Sequence, residues 1–359
     1  MVLISLWKNP FWGFFLWPFS LLYQLGLFFR KELYNRGIFT SVRLNAKVIS
    51  VGNITVGGTG KTPCVEKLAC LLKKKGYRVA ILSRGYGRKG RRIVIVSNGE
   101  KVNVTAKQAG DEPMFLAKNL SEIPVIVGKD RAKTGYLAVH TWKTDILLLD
   151  DAFQNRKLKK DLDLVVIDST NLWGNGKILP AGPLREPLNS LKRADGIILT
   201  RASESSLNNK GEKCIRKFTD AQIFSATHEP RNFISLQDGR TCKLNILKGK
   251  KVLGFSGIGN PDSFEKILQS IDVRLLDLIV FRDHYWYKPK DLERILKIAE
   301  TRKADALVTT EKDYVRLPLD WCPLIPTYYL KIEFEMQKGF EELKSLLDSI
   351  FISEKSWKA

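Results

Sequence analysis

From Asn9 to Phe29 the chain carries no charge, and the stretch is crowded with apolar and aromatic residues such as Phe14, Trp17, Leu22 and Phe28. Its length is close to the roughly 20 residues a spanning helix needs. Pro10, Gly13, Pro18, Ser20, Gln24 and Gly26 interrupt it, however. Aromatic rings favour the headgroup layer, and Arg30 and Lys31 follow at once, placed to meet anionic lipid. The pattern predicts a helix within 1–34 that lies on a membrane or inserts shallowly. A full span and a buried core helix are the alternatives. No small-residue cleavage pattern follows the apolar run, so a secretory signal is not expected.

Beyond this segment the pattern changes to short apolar runs separated by helix-length stretches. Runs at 48–51, 79–82, 123–127, 146–149, 164–167 and 197–199 read as buried strands. Between the first two, Val65, Leu68, Ala69 and Leu72 recur at helical spacing, with Gly76 as a terminator. Such alternation predicts a doubly wound, mostly parallel α/β sheet over 35–230. After Ala202 the order breaks in a polar, Lys- and Ser-rich stretch. Asp238-Gly239 between strand-like runs then signals a hairpin, read as a two-stranded connector and hinge over 231–248. A second, smaller α/β domain is expected over 249–359.

Composition narrows the class. The chain has 359 residues, 44% of them hydrophobic and 27% charged, enough for a sizeable core in two domains. Five scattered cysteines without CxxC spacing predict reduced thiols, no disulfide and no structural zinc. A net charge of +21 attracts polyanions, phosphorylated substrates and anionic lipid alike. It is the only feature that favours nucleic acid, which would leave the apolar N-terminus unexplained, so no nucleic-acid partner is expected. Nothing points to an obligate protein partner.

The chemistry begins at the first strand–loop–helix unit. Residues 55–62, Thr55-Val56-Gly57-Gly58-Thr59-Gly60-Lys61-Thr62, form a phosphate-binding P-loop in which the usual first glycine is Thr55. Glycines turn backbone N–H groups toward an anion at a helix N-terminus, Lys61 can reach the β- and γ-phosphates, and the Thr62 hydroxyl can ligate Mg²⁺. The apolar run at 146–149 ends in Asp150 and Asp151, one or the other of which is expected to hold that Mg²⁺ directly or through water. No [NT]-K-x-D signature follows a strand: Thr200-Arg201 lacks the lysine and aspartate, and Lys312-Asp313 has the wrong spacing. ATP is therefore the expected nucleotide, on a P-loop NTPase fold.

Seven motifs then occur in a fixed order. They are the P-loop at 51–63, Ser-Arg-Gly-Tyr-Gly at 83–87, Gly-Asp-Glu-Pro at 110–113, Asp-Asp-Ala-Phe-Gln at 150–154, Gly-Pro-Leu-Arg-Glu at 182–186, Arg-Asp-His-Tyr at 282–285 and Thr-Thr-Glu-Lys-Asp at 309–313. This ordered set resembles the tetraacyldisaccharide 4'-kinase family over most of the chain. The resemblance implies transfer of the ATP γ-phosphoryl group to the 4'-hydroxyl of an acylated glucosamine disaccharide 1-phosphate, giving lipid IVA in lipid A biosynthesis. It also implies work at the cytoplasmic face of a bacterial inner membrane, with that lipid surface as a partner. It places a catalytic aspartate at Asp111 and its histidine partner at His284, and sets Arg84, Gln154, Arg185 and Glu186 near phosphate, metal or sugar. Arg88, Lys89, Arg91 and Arg92 share the basic stretch after Arg84 and read equally as a solvated loop. Because Asp111 and His284 flank the connector, their cooperation requires the second domain to close over the first. The residues alone leave one rival, a membrane-bound P-loop ATPase that uses hydrolysis to switch partners.

Overall fold

The computed structural model describes residues 7, 10–88, 90–202, 210–318 and 320–352. Lys89 of the basic stretch, most of the Lys- and Ser-rich stretch after Ala202, and the ends of the expected 1–34 and 249–359 segments lie outside them. The apolar N-terminus is a single helix, α1 (Pro10–Asn35), continuous through Pro18. Of the following elements, β1 (Lys47–Gly52), α2 (Lys61–Lys74) and β2 (Val79–Ser83) form the P-loop unit. Next come β3 (Val94–Ser97), α3 (Ala106–Ala109), α4 (Asp111–Asn119), β4 (Val125–Val127), α5 (Arg131–Trp142) and β5 (Ile146–Asp150). The chain continues through β6 (Leu162–Asp168), β7 (Gly196–Thr200), α6 (Lys210–Arg216), β8 (Gln222–Ser235) and β9 (Thr241–Lys243). The last elements are β10 (Lys251–Ser256), α7 (Pro261–Ser270), β11 (Arg274–Val280), α8 (Pro289–Thr301), β12 (Ala306–Thr310), α9 (Glu311–Tyr314), β13 (Thr327–Lys338) and α10 (Phe340–Ile352).

All the strands join one sheet in the order 11-10-12-13-8-7-6-1-5-2-4-3, with β9 added beside β8. Strands β2, β5, β1, β6, β7 and β8 run parallel, as do β11, β10, β12 and β13. These two parallel blocks meet at the antiparallel pair β8–β13. Every residue of β1, β2 and β5 is buried. Helices on both faces produce that double burial and explain why these strands read as unbroken apolar runs. Each fully buried aliphatic side chain, Ile49 and Leu148 among them, contributes about 1.5–3 kcal/mol.

Two boundaries differ from expectation. The Asp238-Gly239 turn does join β8 to β9, but β9 is a three-residue lateral addition. The ribbon that links the halves is β8 with β13, whose register runs from Ser235 opposite Tyr328 to Ser225 opposite Lys338. The two strands lie far apart in sequence with no turn joining them, so local pattern could not reveal the pair. The expected 249–359 unit also ends early. Leu343, Leu347 and Ile350 of α10 pack in the same cluster as Val65, Leu68 and Leu72 of α2, so the last helix belongs to the first half. We expect Leu347→Ala to cost about 2–5 kcal/mol of stability in urea denaturation. A loss confined to a separate late transition of the second half would contradict this packing.

Candidate active site

The register Val51↔Asp150 puts the end of β5 directly beside the strand that feeds the P-loop. Helix α2 starts after Gly60, whose φ of 87° is left-handed, and no side chain caps it. Its first N–H groups are thus free for an anion at the positive end of the helix dipole. A Cβ at Gly60 would also lie 2.9 Å from the His228 ring, so glycine is required on both counts. The loop is braced on two sides. Val56 N donates to Pro183 O at 2.8 Å and Arg185 N to Ile54 O at 2.7 Å. Opposite, Thr200 Oγ1 donates to Thr59 O at 2.7 Å and Arg201 to Gly58 O at 3.0 Å. With these braces, and Thr55 itself bridged to Leu184, the absent first glycine does not loosen the loop.

At its mouth, Lys61 Nζ lies 3.6 Å from Asp151 Oδ1, and Arg185 forks onto both Asp151 oxygens at 2.8 and 2.9 Å. Burial alone would raise the Asp151 carboxyl, but Lys61 and Arg185 pull it down to about 2. Asp150 behaves in the opposite way. Burial, reinforced by the charges of Glu112 and Asp151, pushes it up to about 7 although Ser83 Oγ donates to it at 3.1 Å. Beneath it Arg131 is buried, donating to Gly128 O and Asp150 O. Thr62 Oγ1 donates to Glu112 Oε1 at 3.3 Å, and Lys312 Nζ lies 3.6 Å from the same carboxylate and 3.5 Å from Thr62 Oγ1.

Among the described residues no three His, Cys, Asp or Glu side chains gather into a ready-made metal cage. The donors at the mouth are all oxygen, which suits Mg²⁺, an ion held through one or two carboxylates and completed by phosphate and water. Asp150 Oδ1 is buried without a hydrogen-bond partner, an acceptor such an ion would satisfy.

The second half supplies the other wall. Asp111 opens α4 at a helix N-terminus. Its Oδ2 is 2.7 Å from His284 Nδ1 and 2.9 Å from Arg316 Nε, both from beyond the ribbon. Burial opposes ionisation of Asp111, yet these two cations hold it well below the usual carboxylate range. Burial would likewise lower the His284 imidazole, but the hydrogen bond and charge of Asp111 outweigh it and leave it raised above 6.5. His284 has a left-handed φ of 59°, fixed by its N–H bonding to Gly257 O at 3.0 Å. Arg316 continues the network to Gly257 O at 2.6 Å and Asp313 Oδ1 at 3.3 Å, and Tyr287 OH donates to the same oxygen at 2.9 Å. The halves touch closely at the loop tip, where a Cβ on Gly259 would lie 2.9 Å from Gly58 N.

The structure therefore brings together Lys61, Thr62, Asp150, Asp151 and Arg185 on one side and Asp111 and His284 on the other. Arg84 is exposed at the end of β2. Gln154 donates to Asn53 O at 2.8 Å, below the loop rather than in its mouth, and Glu186 is engaged by Arg193 at 2.8 Å. Sequence reasoning missed Glu112, Arg131, Arg201, Lys312 and Arg316. Glu112 and Lys312 sit inside the motifs at 110–113 and 309–313, but nothing local to either marks its contact with Thr62. Arg316 stands three residues after Asp313, but spacing cannot reveal its pairing with Asp111, some two hundred residues earlier.

A family model described as Tetraacyldisaccharide-1-P 4'-kinase matches residues 12–351. A tetraacyldisaccharide 4'-kinase of Syntrophus aciditrophicus is 42% identical over 349 residues, covering 94% of this chain and 93% of the relative. Another, from Desulfatibacillum aliphaticivorans, is 40% identical over 340 residues and covers 91% of each. The crystal structure of LpxK from Aquifex aeolicus in complex with ATP is 34% identical, with a TM-score of 0.75 over 93% of this chain and 98% of that one.

Removing Arg316 would leave Asp111 and Asp313 buried without their shared cation. We expect Arg316→Leu to cost about 3–5 kcal/mol by chemical denaturation. A cost comparable to that of a surface substitution would show that the network does not depend on it.

Proposed function

The chain belongs to the tetraacyldisaccharide-1-P 4'-kinase family, and from that membership we propose how its residues divide the reaction. The reaction itself is transfer of the γ-phosphoryl group of ATP to the 4'-hydroxyl of a tetraacyldisaccharide 1-phosphate in lipid A biosynthesis.

Backbone N–H groups of 57–62 and Lys61 hold the β- and γ-phosphates, where charge accumulates as the phosphoryl group leaves. Thr62 and Asp150 are the residues to hold Mg²⁺, with Glu112 and Asp151 around it. When bound, that ion neutralises phosphate charge. Asp151 is tied to Lys61 and Arg185, so its role is to orient those cations. The acceptor hydroxyl must lose its proton as it attacks, and the Asp111–His284 pair takes it. Arg316 engages the same Asp111 oxygen as His284, leaving Oδ1 outside both contacts to meet the hydroxyl. The observation that carries this reading is the 2.7 Å Asp111–His284 contact, one residue from the Glu112 carboxylate that receives Thr62. It unites groups 173 residues apart, from the two sides of the ribbon, beside the phosphate loop.

A proton-accepting pair makes the rate rise with pH through its titration, here above the ordinary 6.5 of histidine because Asp111 holds the proton on the ring. Asp111→Asn removes that charge. Its kcat on the glycolipid should fall by about 10²–10⁴, and the acidic limb of the residual rate should move to lower pH. A variant with an unmoved limb and undiminished kcat would remove the pair from the chemistry.

An acylated acceptor stays in a bilayer, and we place the chain at the cytoplasmic face of the inner membrane through α1. Phe14, Phe19 and Leu22 are 78%, 60% and 66% exposed, and an apolar face of this kind is costly to leave in water. Arg30 and Lys31 suit the cytoplasmic side, where ATP is available. A Phe14→Glu, Leu22→Glu chain should bind phosphatidylglycerol vesicles at least about tenfold more weakly than the wild type. Equal co-sedimentation of the two would count against this docking.

A further inference from the structure

Three arginines converge at the foot of α1, beside but outside the reacting centre. Arg30 donates to Gln154 O at 2.9 Å. Arg193 stacks 4.4 Å from the Phe153 ring centroid and meets the preceding carbonyl, Phe153 O, at 3.5 Å. Arg156 follows two residues after Gln154, and its backbone carbonyl is fixed by Ser41 Oγ at 2.7 Å. One carboxylate, Glu186, serves the group, and Arg193 already occupies it at 2.8 Å. Among the described residues the Arg156 side chain makes no hydrogen bond or ion pair, although it is half-buried. Burial, and then the neighbouring Arg193 and Arg30 charges, lower its affinity for its proton, while Glu186 and Tyr34 oppose them. Three guanidinium groups held around one carboxylate repel one another unless a further anion joins them.

The position defines that anion. Arg30 is the first charge after the apolar face of α1, so the cluster lies at headgroup depth if that face meets lipid. Glu186 directly follows Arg185, which clamps Asp151 beside Lys61. The group thus flanks the reacting centre on the membrane side. Planar guanidinium forks bind the oxygens of a phosphate group bidentately. The acceptor carries one phosphate, at the sugar position opposite the hydroxyl that reacts.

We propose that Arg30, Arg156 and Arg193 form a phosphate-monoester subsite that holds the 1-phosphate of the acceptor while its 4'-hydroxyl meets the P-loop. This rests on the kinase reading above. An anionic membrane headgroup shares the same chemistry and is the alternative source that the experiment must separate.

The test compares the 1-phosphate acceptor with its 1-dephosphorylated analogue in micelles of neutral detergent, measuring kcat and KM. Arg156→Gln should raise KM for the 1-phosphate acceptor roughly tenfold with kcat held within about twofold, and should leave KM for the analogue unchanged. Arg30→Gln should do the same to a smaller degree, and Arg156→Lys should recover part of the loss because charge is retained. An equal rise for both acceptors, or none for either, overturns the subsite. So does a variant that keeps the acceptor preference and loses only its binding to phosphatidylglycerol over phosphatidylcholine vesicles, since the site then takes a membrane headgroup. A wild-type chain that phosphorylates both acceptors without distinguishing them also overturns the subsite but leaves the kinase assignment standing. One that phosphorylates neither removes both.

Discussion

Asp111 is a buried carboxylate that its own half of the protein does not neutralise. Its compensating groups, His284 and Arg316, come from the other side of the β8–β13 ribbon. A carboxylate out of water without such partners would cost several kcal/mol or take up a proton. The charge state of Asp111 is therefore conditional on the second half being in place. Chemistry and architecture are linked through this one ion. The carboxylate stays ionised only when the wall formed by 257–259, His284 and Arg316 stands against the P-loop.

That linkage explains the continuous sheet. Two domains joined by a flexible hairpin would meet His284 and Asp111 at variable distance, whereas β8 and β13 form ten residue pairs along their length, with two register shifts. His228 of β8 lies against Gly60, and Glu333 of β13 pairs with Lys67 of α2. The ribbon thus rests on the P-loop helix as well as connecting the halves. Any rotation of the second half must disturb contacts to the nucleotide loop. His284, Asp151 and Arg201, all near this junction, are held at positive φ, each such residue costing of order 1–3 kcal/mol.

The parts legible in the sequence were those set by local rules. Strands β1, β2 and β5 are buried on both faces and so announce themselves as apolar runs, and α2 repeats its buried residues at helical spacing. Lys61, Thr62 and the paired Asp150-Asp151 stand out by what a phosphate and its metal would demand of a loop, and the fold brings them to one mouth. The parts that were not legible are those set by distant partners. β13 gains its place from β8, nearly a hundred residues earlier, and α10 from α2, about 280 residues earlier. β3 is a four-residue antiparallel edge whose outer positions are only partly buried, too short for its pattern to speak. Arg316 carries no local mark of function, because its value lies in two carboxylates that the fold brings to it.

The N-terminal helix is tied into the same network. Its apolar side is free, while its other side is fastened to the segment that braces the P-loop. Ser20 Oγ donates to Ile178 O at 2.9 Å and accepts from Ala181 N at 3.0 Å, and Tyr23 OH donates to Arg185 O at 3.1 Å. Arg185 in turn reaches both Ile54 O and Asp151. From a residue on α1 to the carboxylate beside Lys61 there is thus an unbroken path of hydrogen bonds through a single short segment. Ser20 is buried on this face although it interrupts an apolar run, and that is the physical reason for a polar residue there: its hydroxyl satisfies backbone groups that would otherwise be orphaned. The interruptions that argue against a clean membrane span are, at this position, the contacts that hold the helix to the enzyme.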